Sequence, residues 1–505
     1  MPAPVPVPGP ELATAQVPEL QQAMAAGTLT SAGLTAFCLD RIAQLNPVLH
    51  AVITVSPDAA AQAAASDEAR AAGSARGPLD GIPVLIKDNI AVRGMPATAG
   101  SPALAGAKSG DAFLVARLRA AGAVIVGKAN LSEWANFRSS HSTSGWSALG
   151  GQTANPHDLA RNPSGSSSGS GAAVAAGLVP LAVGTETDGS IVCPASACGV
   201  VGIKPTLGLI SRAGIVPISA AQDTAGPMAR TIADAAALLA AVAGADPADP
   251  ATTVDLAPGF AASLSRAALD PAAVRGARVG VWREGSRLAG AETVAVLDGA
   301  VAALRELGAE VTDPVDLPGA DQIGEPETEA LLHEFKHDLD AYLARLPGSH
   351  PRSLAELIDF NTHNASTVLT HFGQETFEQA AACSGDPADP AAMAARAEAT
   401  KRAKEALDGP LAAHRLDAIV ALTANPAWLT DHVLGDHTVF YTSGPCAVAG
   451  YPAVCVMAGE VRGLPVGLSF MGPAWSEPTL IALAAAFERG RRLTAGMPAG
   501  LPASA

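Results

Sequence analysis

The sequence predicts an α/β protein: an α/β/α sandwich with a central mixed, mostly buried β-sheet flanked by helices, plus a helical insertion. Three observations predict it. Short apolar runs alternate with longer alanine-rich helical patterns, the sign of strands buried between helices. Hydrophobic residues make up 49% of the 505 and charged residues only 16%, so most elements must be buried. Strand-like runs return after residue 416, beyond a helical stretch, so one core is built from both ends of the chain.

The elements follow in order. Residues 1–10 read as a proline-rich tail. Residues 11–75 form N-terminal helices: two helical patterns lie within 11–45, the second starting near Thr30-Ser31 with Leu34, Phe37, Cys38 and Ile42 at helical spacing. An alanine-rich helix spans 59–73. Gly81 to Ile86 reads as a turn and a buried strand that Lys87 closes. A helix over 112–121 precedes the strand Val124-Ile125-Val126, and a Gly/Ser-rich loop leads to a helix from Gly171 and the strand Leu181-Ala182-Val183. Residues 277–315 supply a strand at 279–281, a helix near 292–307 and a strand near Val311. The predicted catalytic core is thus 76–315 with 416–495. Between them 320–415 is a helical insertion or lid, with a long helix over 325–346 and a polar break near 384–391. The last segment holds strands at 418–420, 454–456 and 466–468 and a helix over 478–489. All of this reads as one domain spanning 1–505.

The formal net charge is −16. Nucleic acid and anionic membrane both require basic patches, so neither is expected as a partner. The longest apolar run, 172–183, contains Gly177 and Pro180 and is too short to span a bilayer. MPAPVPVPGP has no basic n-region and no apolar h-region, which reads as a cytoplasmic protein rather than a secreted one. The six cysteines form no C-x-x-C pair and read as buried thiols; Cys193, three residues past Ser190, reads as a small core hydrophobe.

Three segments carry candidate chemistry. Lys87 closes an apolar strand, where desolvation favours the neutral amine and makes it a candidate base; the plain alternative is a lysine that snorkels to water. Gly165-Ser166-Ser167-Ser168-Gly169-Ser170-Gly171 satisfies G-x-S-x-G with Ser167 in the nucleophile place. That elbow needs a strand directly before it, and turn signals stand there instead. A flexible linker is the other reading of this loop. Gly184-Thr185-Glu186-Thr187-Asp188-Gly189-Ser190 places a second serine after a short strand. Successive backbone N–H groups in such a turn can hold an oxyanion, whereas the plain reading is a tight turn. No histidine lies in any of the three segments, so a serine here would need lysine as its proton acceptor. The set points to acyl transfer on amides.

Taken together, the lysine, the Gly/Ser-rich loop, the Gly-Thr-x-x-x-Gly-Ser-Ile segment and Cys198-Gly-Val-Val-Gly-Ile-Lys-Pro-Thr206 resemble the amidase signature family. The resemblance continues through Asp223 to Arg230, Ala449 to Ala453 and Gly463 to Gly467, covering most of 30–245 and 417–490. It implies a Ser–cis-Ser–Lys triad in which Ser190 is the nucleophile, Ser166 the bridging serine joined to Gly165 by a cis peptide, and Lys87 the base. Oxyanion donors would be the backbone N–H groups of Thr187, Asp188, Gly189 and Ser190. No cofactor or metal is implied, and the expected state is a monomer or homodimer. Amides, peptide C-terminal amides, aryl amides and carbamates (urethanes) are the substrates the resemblance allows. Asp188 stands where the family usually has glycine, Val192 where an arginine often follows Ser-Ile, and Ser164 and Ser168 replace loop glycines. With Ser144-Gly145-Trp146-Ser147 and Gly150-Gly151-Gln152-Thr153, the sequence looks most like the peptide amidase branch and less like the glutamine-dependent amidotransferase component.

A rival motif is His333-Glu334-Phe335-Lys336-His337, which matches H-E-x-x-H. On a helix it would put two histidines on one face beside a glutamate, as in zinc proteases. An amphipathic helix of the insertion is the ordinary reading of the same residues.

Overall fold

A computed structural model describes residues 9–253, 256–491 and 501. The first eight residues of the expected proline-rich tail and the last four of the 416–495 segment lie outside the described residues.

Thirteen strands form among the described residues: β1 (Val52–Val55), β2 (Pro83–Lys87), β3 (Val124–Ala129), β4 (Trp146–Ser147), β5 (Gly151–Gln152), β6 (Leu181–Glu186), β7 (Val201–Lys204), β8 (Thr224–Ala229), β9 (Arg278–Val281), β10 (Glu310–Thr312), β11 (Ala418–Leu422), β12 (Ala453–Val461) and β13 (Leu464–Met471). Eleven of them make one sheet in the order β1-β3-β2-β6-β8-β7-β12-β13-β11-β9-β10, and β4 with β5 makes a small hairpin. Parallel pairs (β2 with β3 and β6, β9 with β10 and β11) flank an antiparallel centre, so the sheet is mixed, as expected. β12 and β13 sit inside the sheet, next to β7 and β11, which joins both ends of the chain into one core.

The predicted helices form where the periodicity places them: Val17–Ala25, Ser31–Leu49, Ala59–Ala71, Phe113–Ala120, Ser168–Ala175, Ala291–Glu306 and Glu477–Arg491. Thr30 caps the second, its side chain accepting from Gly33 N. The insertion is helical throughout its long elements, Gly324–Arg345 and Pro390–Ala413, with shorter helices between them. Two central strands, β7 and β8, and the helix Ile232–Val242 had no counterpart among the predicted elements. β8 contains Gly226-Pro227, which breaks a strand pattern when read locally. The helix is buried on nearly every side, so no amphipathic stripe marks it.

Buried aliphatic and alanine side chains fill both faces of the sheet. β2 and β6 are parallel neighbours whose residues are all buried. Their C-terminal ends, Lys87 and Glu186, open together onto the segments that carry the candidate chemistry.

Candidate active site

Lys87 is fully buried at the end of β2. Its Nζ lies 2.8 Å from Ser166 Oγ, 2.9 Å from Thr185 Oγ1 and 3.2 Å from the Thr185 carbonyl oxygen. Asn89 Nδ2 donates to the same Thr185 hydroxyl at 3.0 Å. No carboxylate pairs with Lys87 among the described residues, whereas the buried Lys128 pairs with Asp88 at 3.1 Å. Burial therefore dominates and lowers the Lys87 pKa to about 7, against the opposing pull of Glu186 and Asp223. The snorkelling alternative fails, because the amine never reaches solvent.

The Gly/Ser-rich loop is not a linker. Its serines knit it to β6: Ser167 Oγ donates to the Thr185 carbonyl at 3.0 Å, and Ser170 Oγ to the Val183 carbonyl at 3.2 Å. Ser168 Oγ donates back to Ser164 O at 2.6 Å. The Gly165–Ser166 peptide is cis. Ser167, the elbow candidate, is fully buried with its hydroxyl occupied, and although a helix follows it from Ser168, no strand leads into it over residues 162–166.

Beyond β6 the chain turns through Thr187–Ser190. Glu186, buried at the strand end, accepts from Ile191 N at 2.7 Å and Val192 N at 3.0 Å, and the Gly189 amide also bonds to it. Among the described residues the amides of Thr187, Asp188 and Ser190 have no partner within the protein, so they are free to face a ligand. Gly189 has φ +76°, and a Cβ there would meet Cys193 Sγ and Ser443 Oγ, each at 2.9 Å. Glycine is required by conformation and by space alike. Ser190 lies on the pocket wall; no hydrogen bond links its Oγ to Ser166 Oγ among the described residues.

The pocket has a volume of about 280 Å³, and its walls include Gly165, Thr187, Asp188, Gly189, Ser190 and Cys193. Cys193 is buried, as expected of a core thiol, yet it also lines this pocket. Trp428, Asp436, Thr438 and Tyr441 line the same pocket. Asp188 accepts from Ser443 Oγ, and burial pushes its carboxyl up to about 6. The lining contains these two aspartates and no Lys, Arg or His. A larger cleft of about 570 Å³, lined in part by Asp223, contains none of Lys87, Ser166 or Ser190.

Sequence reasoning missed the frame behind the turn. Thr187 Oγ1 donates to Asp223 at 2.6 Å, whose other oxygen takes Ile218 N and Ser219 N. Gln222 Nε2 donates to the Thr187 carbonyl at 2.9 Å and to Glu327 of the insertion at 2.6 Å, while Arg396 Nη1 donates to Gln222 Oε1 at 2.8 Å. Glu334 is the forked partner of Arg396, at 2.6 and 2.7 Å, and accepts from Ser219 Oγ. The H-E-x-x-H motif is thereby corrected: its glutamate is engaged, His337 meets the Gly385 carbonyl, and no group of three metal-ligating side chains assembles among the described residues. No local pattern marks Gln222 or Arg396, because their roles exist only across the insertion. Asn89 follows Lys87 closely in the chain, but nothing in its spacing indicates that it holds Thr185.

The fold, together with the relatives it matches, defines an amide hydrolase. The Amidase family model matches residues 33–481, and the chain belongs to that family, whose members cleave carbon–nitrogen bonds. It is similar to a probable amidase of Arabidopsis thaliana, 42% identical over 94% of this chain and 90% of the relative. The A component of a glutamyl-tRNA(Gln) amidotransferase from Chloroflexus aurantiacus is 37% identical over 95% and 97%. Among solved structures, the native peptide amidase from Stenotrophomonas maltophilia superposes with a TM-score of 0.89 at 49% identity, over 95% of this chain and 97% of that one. The peptide amidase PAM in complex with the competitive inhibitor chymostatin gives 0.91, also at 49% identity, over 97% and 99%. Among the described residues no helix is long and apolar enough to cross a membrane.

Proposed function

We propose that this protein hydrolyses the C-terminal amides of peptides through Ser190, Ser166 and Lys87. The observation that carries the reading is the buried, unpaired Lys87 amine 2.8 Å from Ser166 Oγ. Neutral Lys87 takes the Ser166 proton, and Ser166 takes the Ser190 proton as Ser190 Oγ bonds to the carbonyl carbon. The oxygen of the tetrahedral intermediate is met by the unpartnered amides of Thr187, Asp188 and Ser190; the Gly189 amide, expected as a fourth donor, is turned to Glu186 instead. The relay then runs back, the C–N bond breaks, and the amine leaves with the returned proton. Protonation matters here because an amide's leaving group is otherwise very poor. Water, activated by the same relay, attacks the acyl ester, releases the acid and restores Ser190. The Ser190–Ser166 contact must tighten when substrate binds, as catalytic hydrogen bonds of empty sites often do.

The substrate class rests on the likeness to peptide amidase structures at 49% identity and on the pocket. A C-terminal amide is neutral, and a wall carrying Asp188 and Asp436 without a cation suits it. The same wall opposes the second reading, a glutamine-hydrolysing amidotransferase component, supported by 37% identity to such proteins. Free glutamine brings an α-carboxylate, for which the lining offers no basic side chain. The deciding experiment is a panel of a dipeptide amide, glutamine, an anilide, an aryl carbamate and a p-nitrophenyl ester. Highest kcat/KM on the dipeptide amide supports the reading; turnover of glutamine above it defeats the reading.

A further inference from the structure

A second cavity, of about 510 Å³, adjoins the first. Its apolar lining is Trp282, Leu288, Leu317, Pro318, Phe440 and Tyr441. Tyr441 also lines the catalytic pocket, so the two spaces meet at that residue. Tyr441 shares that pocket with Asp188 and Ser190, and the Asp188 charge, followed by burial, pushes its phenol up. Trp282 directly follows β9, the parallel neighbour of β10 and β11, and its N–H bonds to the Val420 carbonyl at 2.9 Å. The cavity therefore opens where β9 ends, and carboxyl ends of parallel strands are where open α/β sheets take ligands. Trp282, Leu317 and Phe440 are buried, but Leu288 is 56% and Tyr441 53% exposed. Large apolar side chains left in water around a concave space mark a binding surface. Arg287 is the only cation of the lining and is paired with Glu284 at 2.9 Å; the carboxylates of Asp316 and Asp321 also line the cavity but are exposed, so its charges lie at the solvent side.

We propose that this cavity is a subsite for an apolar, uncharged extension of the substrate's acyl part, reached across Tyr441. The proposal rests on the reading of the site as a hydrolase of C-terminal amides. When the leaving group is ammonia alone, everything else in the substrate lies on the acyl side. A pocket of about 280 Å³ holds only a residue or so beside the scissile carbonyl, and a longer apolar acyl part continues into the neighbouring space.

The test uses binding, so that it stands apart from turnover. Affinities of N-acetyl-, N-butanoyl-, N-hexanoyl- and N-octanoyl-alaninamide are measured by calorimetry on the Ser190→Ala protein. Affinity should rise by about fourfold for each CH2 the cavity buries. Adding Leu288→Arg should collapse the octanoyl-to-acetyl ratio, and Leu288→Ser should reduce it partway. Flat affinity across the series overturns the subsite, as does an unchanged ratio in Leu288→Arg. Ammonia release from N-acetyl-alaninamide by the unaltered protein tests the catalytic reading separately; its absence would defeat that reading while the affinity slope still decides the cavity.

Discussion

Lys87 Nζ and Ser166 Oγ stand 2.8 Å apart in a fully buried site, and the amine's other neighbours are the two oxygens of Thr185. A neutral amine satisfies this geometry well, giving its two protons to Thr185 and its lone pair to the serine hydroxyl.

The three proposed catalytic side chains should separate by size of effect. Ser190→Ala should reduce kcat to background, because no bond to the acyl group can form. Ser166→Ala should lower kcat by about 10²–10⁴-fold, the usual worth of a positioned proton carrier. Lys87→Ala should approach the loss in Ser190→Ala. Steady-state ammonia release from a dipeptide amide, with circular dichroism as the folding control, checks all three. Undiminished turnover in Ser190→Ala would remove the mechanism.

Activity should depend on pH through Lys87. The amine works only when unprotonated, and its pKa in the free protein is about 7. Below that value kcat/KM should fall about tenfold per pH unit as the ammonium forms, and above it the curve should level. A pH–rate profile reads this directly. Lys87→Arg cannot lose its proton and should be inactive across the range. An acid limb flat to pH 4 would show that another group is the base.

Gly189→Ala should cost activity more than fold. Its φ of +76° and the 2.9 Å approach of Cys193 and Ser443 leave no room for a methyl group. The turn must shift, moving the Ser190 hydroxyl and the unpaired amides beside it. We expect kcat to fall by about 10²-fold or more, in line with the loss of one oxyanion donor. Comparing kcat with the thermal midpoint separates a displaced turn from an unfolded one.

Gln222→Leu should uncouple the insertion from the turn. Gln222 ties the Thr187 carbonyl to Glu327 and Arg396. Leucine orphans these groups, at a cost of about 1–3 kcal/mol for a buried unsatisfied partner. The expected result is a lower melting temperature with a reduced kcat. Glu327, already pushed up to about 8 by burial, loses its donor and protonates more readily.

Activity should survive a strong chelator, and His333→Ala and His337→Ala should keep it. Glu334 is held by Arg396, and the two histidines assemble no ligand set with it. Loss of turnover in the chelator, restored by zinc, would reverse this.

By itself the sequence determined the α/β class, the mixed sheet built from both chain ends, the helical stretch between them and the segments bearing Lys87, Ser166 and Ser190. These are local facts: the period of apolar residues reports which face is buried, and glycine, proline and serine report where the backbone must turn. The tertiary structure alone decided the rest. It put β7 and β8, which local patterning hid, at the centre of the sheet. It joined Asn89 and Thr185 to Lys87, Glu186 to the turn, and Gln222 to Arg396 over 174 positions. It also set the Lys87 amine near neutrality, because desolvation depends on every atom packed around a group and not on its neighbours in the chain.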